Sequence, residues 1–148
     1  MMPQVHEIGS ITAQDAMSAL CGEYLGAGAF RSVYVLASDD TKVVKMESGA
    51  ASFHNIHEWG VWMDFRDIRA VAKWLAPCRH ISSAGAWLIQ DRTEPLPKGF
   101  RLPKSLPEFL TDTKLGNFGL LGGNLVCHDY GIVRQALETK RRPVEWWG

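Results

Sequence analysis

The chain has 148 residues, of which 46% are hydrophobic and 22% are charged, as is typical of one folded domain and not of a disordered segment. Sixteen basic residues balance sixteen acidic ones, so bulk charge gives no indication of binding to nucleic acid or to an anionic membrane. No apolar run approaches the roughly 20 residues of a membrane span, and no signal peptide is expected. Cys21, Cys78 and Cys127 are far apart and lack metal-ligand spacing, so we expect reduced thiols in a cytoplasmic protein.

The first third of the chain predicts a strand-rich unit preceded by a short helix. The capping-box pattern from Thr12 to Asp15 indicates the start of a helix that continues to about Leu20. Beta-forming residues then alternate with glycine-rich and polar turns. The predicted strands cover residues 24–25, 30–37 and 43–46, and the predicted turns cover residues 26–29 and 38–41.

Helical periodicity begins after these strands. Ile56, Trp59 and Met63 recur at spacings of three and four residues, which predicts one face of a helix over residues 51–65. The sequence then predicts a second short helix over residues 68–75, a strand from Ile81, a turn over residues 82–85 and a strand over residues 86–90.

The second half of the chain contains a proline-rich segment and a hairpin pattern. Four prolines exclude a long helix from residues 92–107, which we interpret as a linker. Two short apolar arms within residues 118–127 flank the pair Gly122-Gly123, a pattern typical of a β-hairpin. A short helix is predicted over residues 132–138. We therefore expect a single domain over residues 1–148, with residues 20–91 and residues 108–148 on either side of the linker.

Two features of the strand-rich part are candidates for phosphate binding. Gly26 and Gly28 lie between two β-like segments, where glycines let a backbone turn pass close to phosphate oxygens, although an ordinary turn is the alternative. Lys45 follows two valines in a predicted strand. It would contact phosphates if a carboxylate held it, and Glu58 on the following helix is the candidate partner. A lysine on a solvated strand face is the alternative interpretation.

Four polar residues in the second half are candidates for metal binding and proton transfer. Oxygen atoms of Asn117 and Asp129, brought together by the predicted hairpin, would suit Mg²⁺, which binds few protein oxygens in addition to substrate phosphates. Asp112 would accept a proton from a hydroxyl nucleophile or orient it, with Lys114 two residues further on. Each of these residues is otherwise a turn residue or a cap.

The order of these motifs resembles the arrangement of parts in protein kinases. The resemblance covers roughly residues 20–135. Residues 26–34 are similar to the glycine-rich loop, residues 43–45 to the strand-lysine motif, residues 87–91 to the strand entering the hinge, residues 112–117 to the catalytic loop and residues 129–131 to the metal-binding Asp-Phe-Gly motif. The form Gly116-Asn117-Phe118-Gly119 is similar to small kinase-like proteins of bacteriophages.

The resemblance implies an α+β fold and a nucleotide site. The fold would be a shortened two-lobe kinase-like one, with an antiparallel N-lobe sheet, a helix equivalent to αC and a vestigial C-lobe. The implied ligands are ATP and Mg²⁺. The implied catalytic residues are Asp112, Lys45, Glu58 and Lys114, the implied nucleotide-binding residues are Gly26, Gly28, Lys45, Gln90 and Asp91, and the implied metal ligands are Asn117 and Asp129.

Three departures from the kinase pattern leave the function open. Leu110-Thr111 stand where kinases carry His-Arg, the span from Gln90 to Asp112 is too short and proline-rich for the long helix that normally supports the catalytic loop, and only 17 residues follow Gly131. Arg31, which stands where the third loop glycine usually lies, is a milder departure because that loop position varies. A protein partner, a second copy of the chain or a small acceptor would then have to complete the acceptor site.

Three hypotheses follow. The first is a minimal kinase that transfers the γ-phosphate of ATP to a hydroxyl, and the second is an inactive pseudokinase-like module of phage origin that binds a host protein. The third is a structural domain that uses the fold without nucleotide. The terminal pair Trp146-Trp147 would either form a contact site for a partner or dock onto the domain.

Overall fold

The structure is a computed structural model that describes residues 15, 17–49, 52–131 and 141–148. After a helical turn at residues 17–20, the elements in chain order are β1 (Cys21–Ala27), β2 (Arg31–Leu36), β3 (Asp39–Glu47), α1 (His54–Phe65), α2 (Arg69–Ala72), β4 (Cys78–Ile81), β5 (Trp87–Asp91), β6 (Ser105–Pro107), a 3-10 turn (Leu115–Asn117), β7 (Phe118–Leu121), β8 (Asn124–Cys127) and β9 (Arg141–Pro143). The predicted α+β class is confirmed. No helix in these described ranges is long and apolar enough to cross a membrane.

The largest sheet has five antiparallel strands in the order β1-β2-β3-β5-β4. The tight turn between β2 and β3 places Leu36 opposite Asp39, so the predicted turn at residues 38–41 is wrong by about two residues. Asp39 and Asp40 already belong to β3, where the Asp39 carboxylate accepts hydrogen bonds from the backbone N–H and the hydroxyl of Thr41. This local bonding allows two polar residues to begin a strand whose centre is buried.

The next two predicted segments are also shifted. The second helix is only one turn, Arg69–Ala72, and β4 ends at Ile81 instead of beginning there. Cys78 pairs with Gln90 and Ile81 pairs with Leu88, so pairing with β5 selects the earlier segment as the strand. The predicted strand at residues 86–90 is confirmed as β5 with a shift of one residue.

Helix α1 packs on the sheet through an unexpected face. Of the predicted apolar face, Trp59 packs against the core cluster, but Ile56 and Met63 are about 40% exposed. Asn55 and Glu58 are fully buried instead. The amide nitrogen of Asn55 donates to the backbone carbonyls of Lys45 and Gly85, both at 3.0 Å. Polar groups can face inward here because each of them finds a hydrogen-bond partner.

The predicted hairpin is confirmed as β7 and β8. Gly122 and Gly123 form the turn with φ angles of 57° and 82°, a left-handed conformation that glycine adopts without strain. The hairpin connects to the segments around it, since Leu120 pairs with Glu94 and the Cys127 N–H donates to the Trp74 carbonyl at 2.7 Å.

The proline-rich segment is not only a linker. It contains β6, in which Ser105 pairs with Pro143 and Pro107 pairs with Arg141 of β9. Buried side chains on both sides of this segment form one core cluster, which includes Phe65, Val71, Leu75, Leu88, Leu106, Phe109, Leu110, Phe118 and Tyr130. The helix predicted over residues 132–138 and most of the N-terminal capping box lie outside the described residues.

The two terminal tryptophans, Trp146 and Trp147, differ in packing and exposure. Trp146 packs edge-to-face on Phe118 with ring centroids 4.9 Å apart, and its indole N–H donates to the Pro103 carbonyl at 3.0 Å. Trp147 is 54% exposed. The first of the pair therefore docks onto the domain, while the second pairs with Lys114 through its backbone and keeps about half of its side chain exposed.

Candidate functional site

A cavity of about 1300 Å³ collects nearly all of the predicted site residues. It is lined by parts of β1, β2, β3 and β5, by residues 92–96 and by the segment around β7 and β8. The predicted site residues in its wall are Gly26, Gly28, Lys45, Gln90, Asp91, Asp112, Lys114, Asn117 and Asp129. The remaining one, Glu58, is fully buried and contacts Lys45.

Lys45 and Glu58 form the ion pair that the motif order predicted. The Lys45 ammonium lies 2.9 Å from a Glu58 carboxylate oxygen, and both residues are almost completely buried. Lys45 also donates to the backbone carbonyl of His128, which connects β3 to the end of the hairpin. Burial by itself would raise the pKa of Glu58, but the charges of Lys45 and Arg31 hold it below its ordinary value.

Arg31 is the main site residue that sequence reasoning underestimated. Its guanidinium donates to Glu58 at 2.6 Å, to the Asn55 side-chain oxygen at 3.1 Å and to Asp129 at 2.9 Å. A buried guanidinium needs acceptors on several sides, and α1 and the end of the hairpin supply them. The available signal was an arginine at the loop position where the resemblance expects glycine. The structure makes it a bridge between two carboxylates.

Asp129 presents an ionised carboxylate to the cavity. Its side chain is 43% exposed, and one oxygen lies 2.9 Å from Arg31 and 3.6 Å from the His54 ring. Burial would raise the pKa of Asp129, but the nearby His54 ring and the charges of Lys45 and Arg31 lower it well below the usual range. His54, which sequence reasoning missed, also stacks on Phe30 with ring centroids 5.1 Å apart.

The predicted catalytic loop forms a compact local turn. A carboxylate oxygen of Asp112 accepts the Lys114 backbone N–H at 3.3 Å, and the Asn117 amide donates to the Asp112 carbonyl at 3.4 Å. The Lys114 ammonium lies 5.5 Å from the centre of the Trp147 ring. Asp112 therefore acts as a turn residue, while its exposed carboxylate still belongs to the cavity wall.

The glycine loop closes through its own backbone. The Gly28 N–H donates to the Arg31 carbonyl at 2.9 Å, and Gly26 pairs with Val33. A Cβ atom built at Gly26 or Gly28 would meet nothing within 4 Å. Packing therefore does not explain these glycines, and the space beside them is open to the cavity.

Two backbone N–H groups at the predicted hinge already make hydrogen bonds to other parts of the domain. The backbone N–H groups of Asp91 and Arg92 donate to the carbonyls of Pro77 and Thr41, so these two donors are not available to an adenine. The Asp91 carboxylate accepts two hydrogen bonds from Arg79, at 2.6 and 2.9 Å.

The wall beside the hinge also holds an unpaired acceptor. Gln90 is fully buried, and its side-chain oxygen has no hydrogen-bond partner within residues 15, 17–49, 52–131 and 141–148. Its amide nitrogen lies 3.7 Å from the Cys78 sulfur. Gln90 therefore keeps acceptor capacity that the described residues do not use.

His128 contacts both the segment of residues 92–96 and the predicted catalytic loop. Its ring nitrogens lie 2.7 Å from the Thr93 hydroxyl and 2.8 Å from the Gly116 carbonyl. Burial and the charge of Lys45 lower the pKa of His128, so the ring is neutral at pH 7. The Nε2–H then donates to Gly116, and Nδ1 accepts the Thr93 hydroxyl. Sequence reasoning missed this role of His128.

The charges in the cavity wall nearly balance. The basic lining residues are Arg31, Lys45, Arg92 and Lys114, and the acidic ones are Asp40, Asp91, Glu94, Asp112 and Asp129. A polyphosphate would therefore meet no excess of positive charge unless a cation accompanied it.

The donor set suits Mg²⁺ only together with a phosphate ligand. Within the described residues, no group of three or more His, Cys, Asp and Glu side chains could hold a metal ion. Mg²⁺ often binds one or two protein carboxylates and completes its coordination with phosphates and water. Asn117 and the second oxygen of Asp129, which Arg31 does not engage, are donors of this kind in one cavity wall.

The fold and the site define an α+β protein with a charged cavity beside an antiparallel sheet. Comparison of the sequence with protein-family models and with curated proteins found no match. The resemblance to protein kinases therefore stays a hypothesis that is based on motif order and on the geometry of the cavity.

Proposed function

We propose that the cavity binds ATP together with Mg²⁺ in a minimal kinase-like arrangement. The observation that supports this most is the buried ion pair between Lys45 and Glu58, in a cavity whose wall also contains Asn117 and Asp129. A lysine held by a carboxylate presents its charge at a fixed point, which is what positioning a polyphosphate requires.

Each candidate residue has a role in this proposal. Lys45 contacts the phosphates, and the loop containing Gly26 and Gly28 leaves open space beside its backbone, so that a phosphate can approach it closely. Asn117 and Asp129 hold Mg²⁺, which neutralises phosphate charge when bound. Because the described wall residues carry no net positive charge, binding should depend on the divalent cation.

Transfer of the γ-phosphate to a hydroxyl acceptor is the first of two versions of this proposal. Asp112 orients the acceptor hydroxyl and receives its proton. The second version is a binding module that holds nucleotide without transfer and acts on a partner protein. It is favoured by the hydrogen bond that already engages Asp112 with the Lys114 backbone and by Leu110-Thr111 in place of His-Arg.

Calorimetric titration with ATP, with and without Mg²⁺, tests the nucleotide site. We expect binding that requires Mg²⁺ and that is lost in Lys45→Met and in Asp129→Asn. Lys98→Met is the matched control, because Lys98 is exposed and lies outside the cavity wall. Circular dichroism verifies that each variant is folded. If the folded wild-type protein binds no ATP at millimolar concentration, the proposal is wrong.

Transfer is measured separately with ATP labelled at the γ-phosphate. If the protein is a kinase, Asp112→Asn abolishes transfer of the label to protein or to small hydroxyl acceptors and leaves ATP affinity unchanged. If the wild-type protein binds ATP but transfers no label, the binding-module version is retained and the kinase version is rejected.

A further inference from the structure

A second cavity, of about 990 Å³, lies apart from the proposed nucleotide site. It is formed by α2 and the residues after it, by residues 101–104 and by the end of the β7–β8 hairpin. None of its lining residues belongs to the wall of the first cavity. We call it the basic groove.

The basic groove has a one-sided charge in a chain whose net charge is zero. Four exposed cations, Arg69, Lys73, Arg101 and Lys104, line it, and none of the lining residues that the structure describes is acidic. Arg141 adds a fifth cation, since its guanidinium lies 5.2 Å from the centre of the Trp74 ring in the wall. Like charges gathered around one concave surface raise its positive potential and attract anionic groups.

The floor of the groove is apolar. Trp74 and Leu125 are half-buried and pack against the hydrophobic core, while Leu102, Pro103 and Leu121 complete the floor. A ligand that combines carboxylates with apolar side chains would satisfy both the rim and the floor. A small inorganic anion would leave the apolar floor without a partner.

The surroundings of Trp74 discriminate between classes of anionic partner. Single-stranded nucleic acid binds by stacking its bases on free aromatic faces. The Trp74 ring instead carries the Lys73 ammonium at 5.7 Å and the Arg141 guanidinium at 5.2 Å. These two cations compete with a base for the half-buried Trp74 ring, but they remain available to carboxylates.

We propose that the basic groove binds an acidic, partly apolar peptide segment of a partner protein. The rim cations pair with Asp or Glu side chains, and apolar side chains of the peptide cover Trp74 and its neighbours. This surface is independent of the nucleotide site, so its occupation does not require ATP.

Selection from a library of random 12-residue peptides on the immobilised full chain tests this proposal. We expect the selected peptides to combine Asp or Glu with Leu, Ile or Phe, and a synthetic copy to bind in fluorescence anisotropy with an affinity that falls as salt increases. The double variant Lys73→Glu with Lys104→Glu should weaken this binding by about tenfold or more. Lys98→Glu, an exposed lysine outside the groove, is the matched control and should change little.

Three outcomes would overturn the proposal. The first is that the selected peptides show no acidic excess, and the second is that the double variant binds them as tightly as the wild-type protein does. The third is that oligo(dT) of 12 nucleotides binds as tightly as the peptide and is equally sensitive to the double variant, which would assign the groove to nucleic acid. Both charge reversals are at exposed positions, so circular dichroism should show an unchanged fold.

Discussion

Replacement of Glu58 by Gln tests whether the buried ion cluster stabilises the domain. Glu58 is fully buried and accepts hydrogen bonds from Lys45 at 2.9 Å, from Arg31 at 2.6 Å and from the Tyr130 backbone N–H at 2.7 Å. Gln has nearly the same shape but no charge. Arg31 keeps Asp129 as a partner, whereas Lys45 loses its direct ion-pair partner among the described residues and keeps only the more distant charge of Asp129.

The expected cost of this change is large for one substitution. Removing one partner of a buried ion pair typically costs about 3–5 kcal/mol. Urea unfolding at pH 7, followed by tryptophan fluorescence, measures the free energy of unfolding. Asp64→Asn removes an exposed acid from the same helix and should change that free energy by less than about 0.5 kcal/mol.

A double-mutant cycle separates the charge effect from general damage. If the cost arises from the unpaired ammonium, adding Lys45→Met to Glu58→Gln should recover part of the lost stability. A loss below about 1 kcal/mol for Glu58→Gln would refute the reasoning, because the buried cluster would then contribute little to folding.

Two further predictions concern acid stability and backbone packing. Glu58 and Asp129 have folded-state pKa values below their ordinary values of 4.5 and 3.8, so their contribution to stability is complete above about pH 5 and is lost as pH falls through the folded-state values. Urea unfolding from pH 6 to pH 3 should show a falling free energy, and a flat profile would contradict this. Gly119→Ala should cost about 1–3 kcal/mol, because its Cβ would lie 2.5 Å from the Thr93 hydroxyl, whereas Gly60→Ala in α1 should stabilise by about 1 kcal/mol. Equal effects of the two substitutions on the thermal midpoint would contradict the packing argument.

Short-range chemistry explains most of what the sequence predicted about the fold. The Gly122-Gly123 turn, the strand around Val43 and Val44, and the helix over most of residues 51–65 depend on neighbours a few residues away. The pairing of Lys45 with Glu58, 13 residues apart, followed from an assumed motif order. These features require little knowledge of how distant segments meet.

The spacing of apolar residues in α1 could not predict which face of the helix is buried. The apolar residues Ile56 and Met63 suggested the inward face, but Asn55 and Glu58 occupy the interior. Their burial is possible because Lys45 and Arg31 from the sheet supply charge and hydrogen bonds, together with backbone groups of Gly85 and Tyr130. A periodicity count weighs hydrophobicity and does not include partners from other elements.

The sequence by itself determined the α+β class, the hairpin and the set of polar residues that could form a site. Only the tertiary structure decided that Arg31 bridges Glu58, 27 residues away, and Asp129, 98 residues away. It also decided that Asp91 pairs with Arg79 at the end of β5. The physical reason is that the ionisation and contacts of a buried charge depend on every group packed around it, and those groups come from separate parts of the chain.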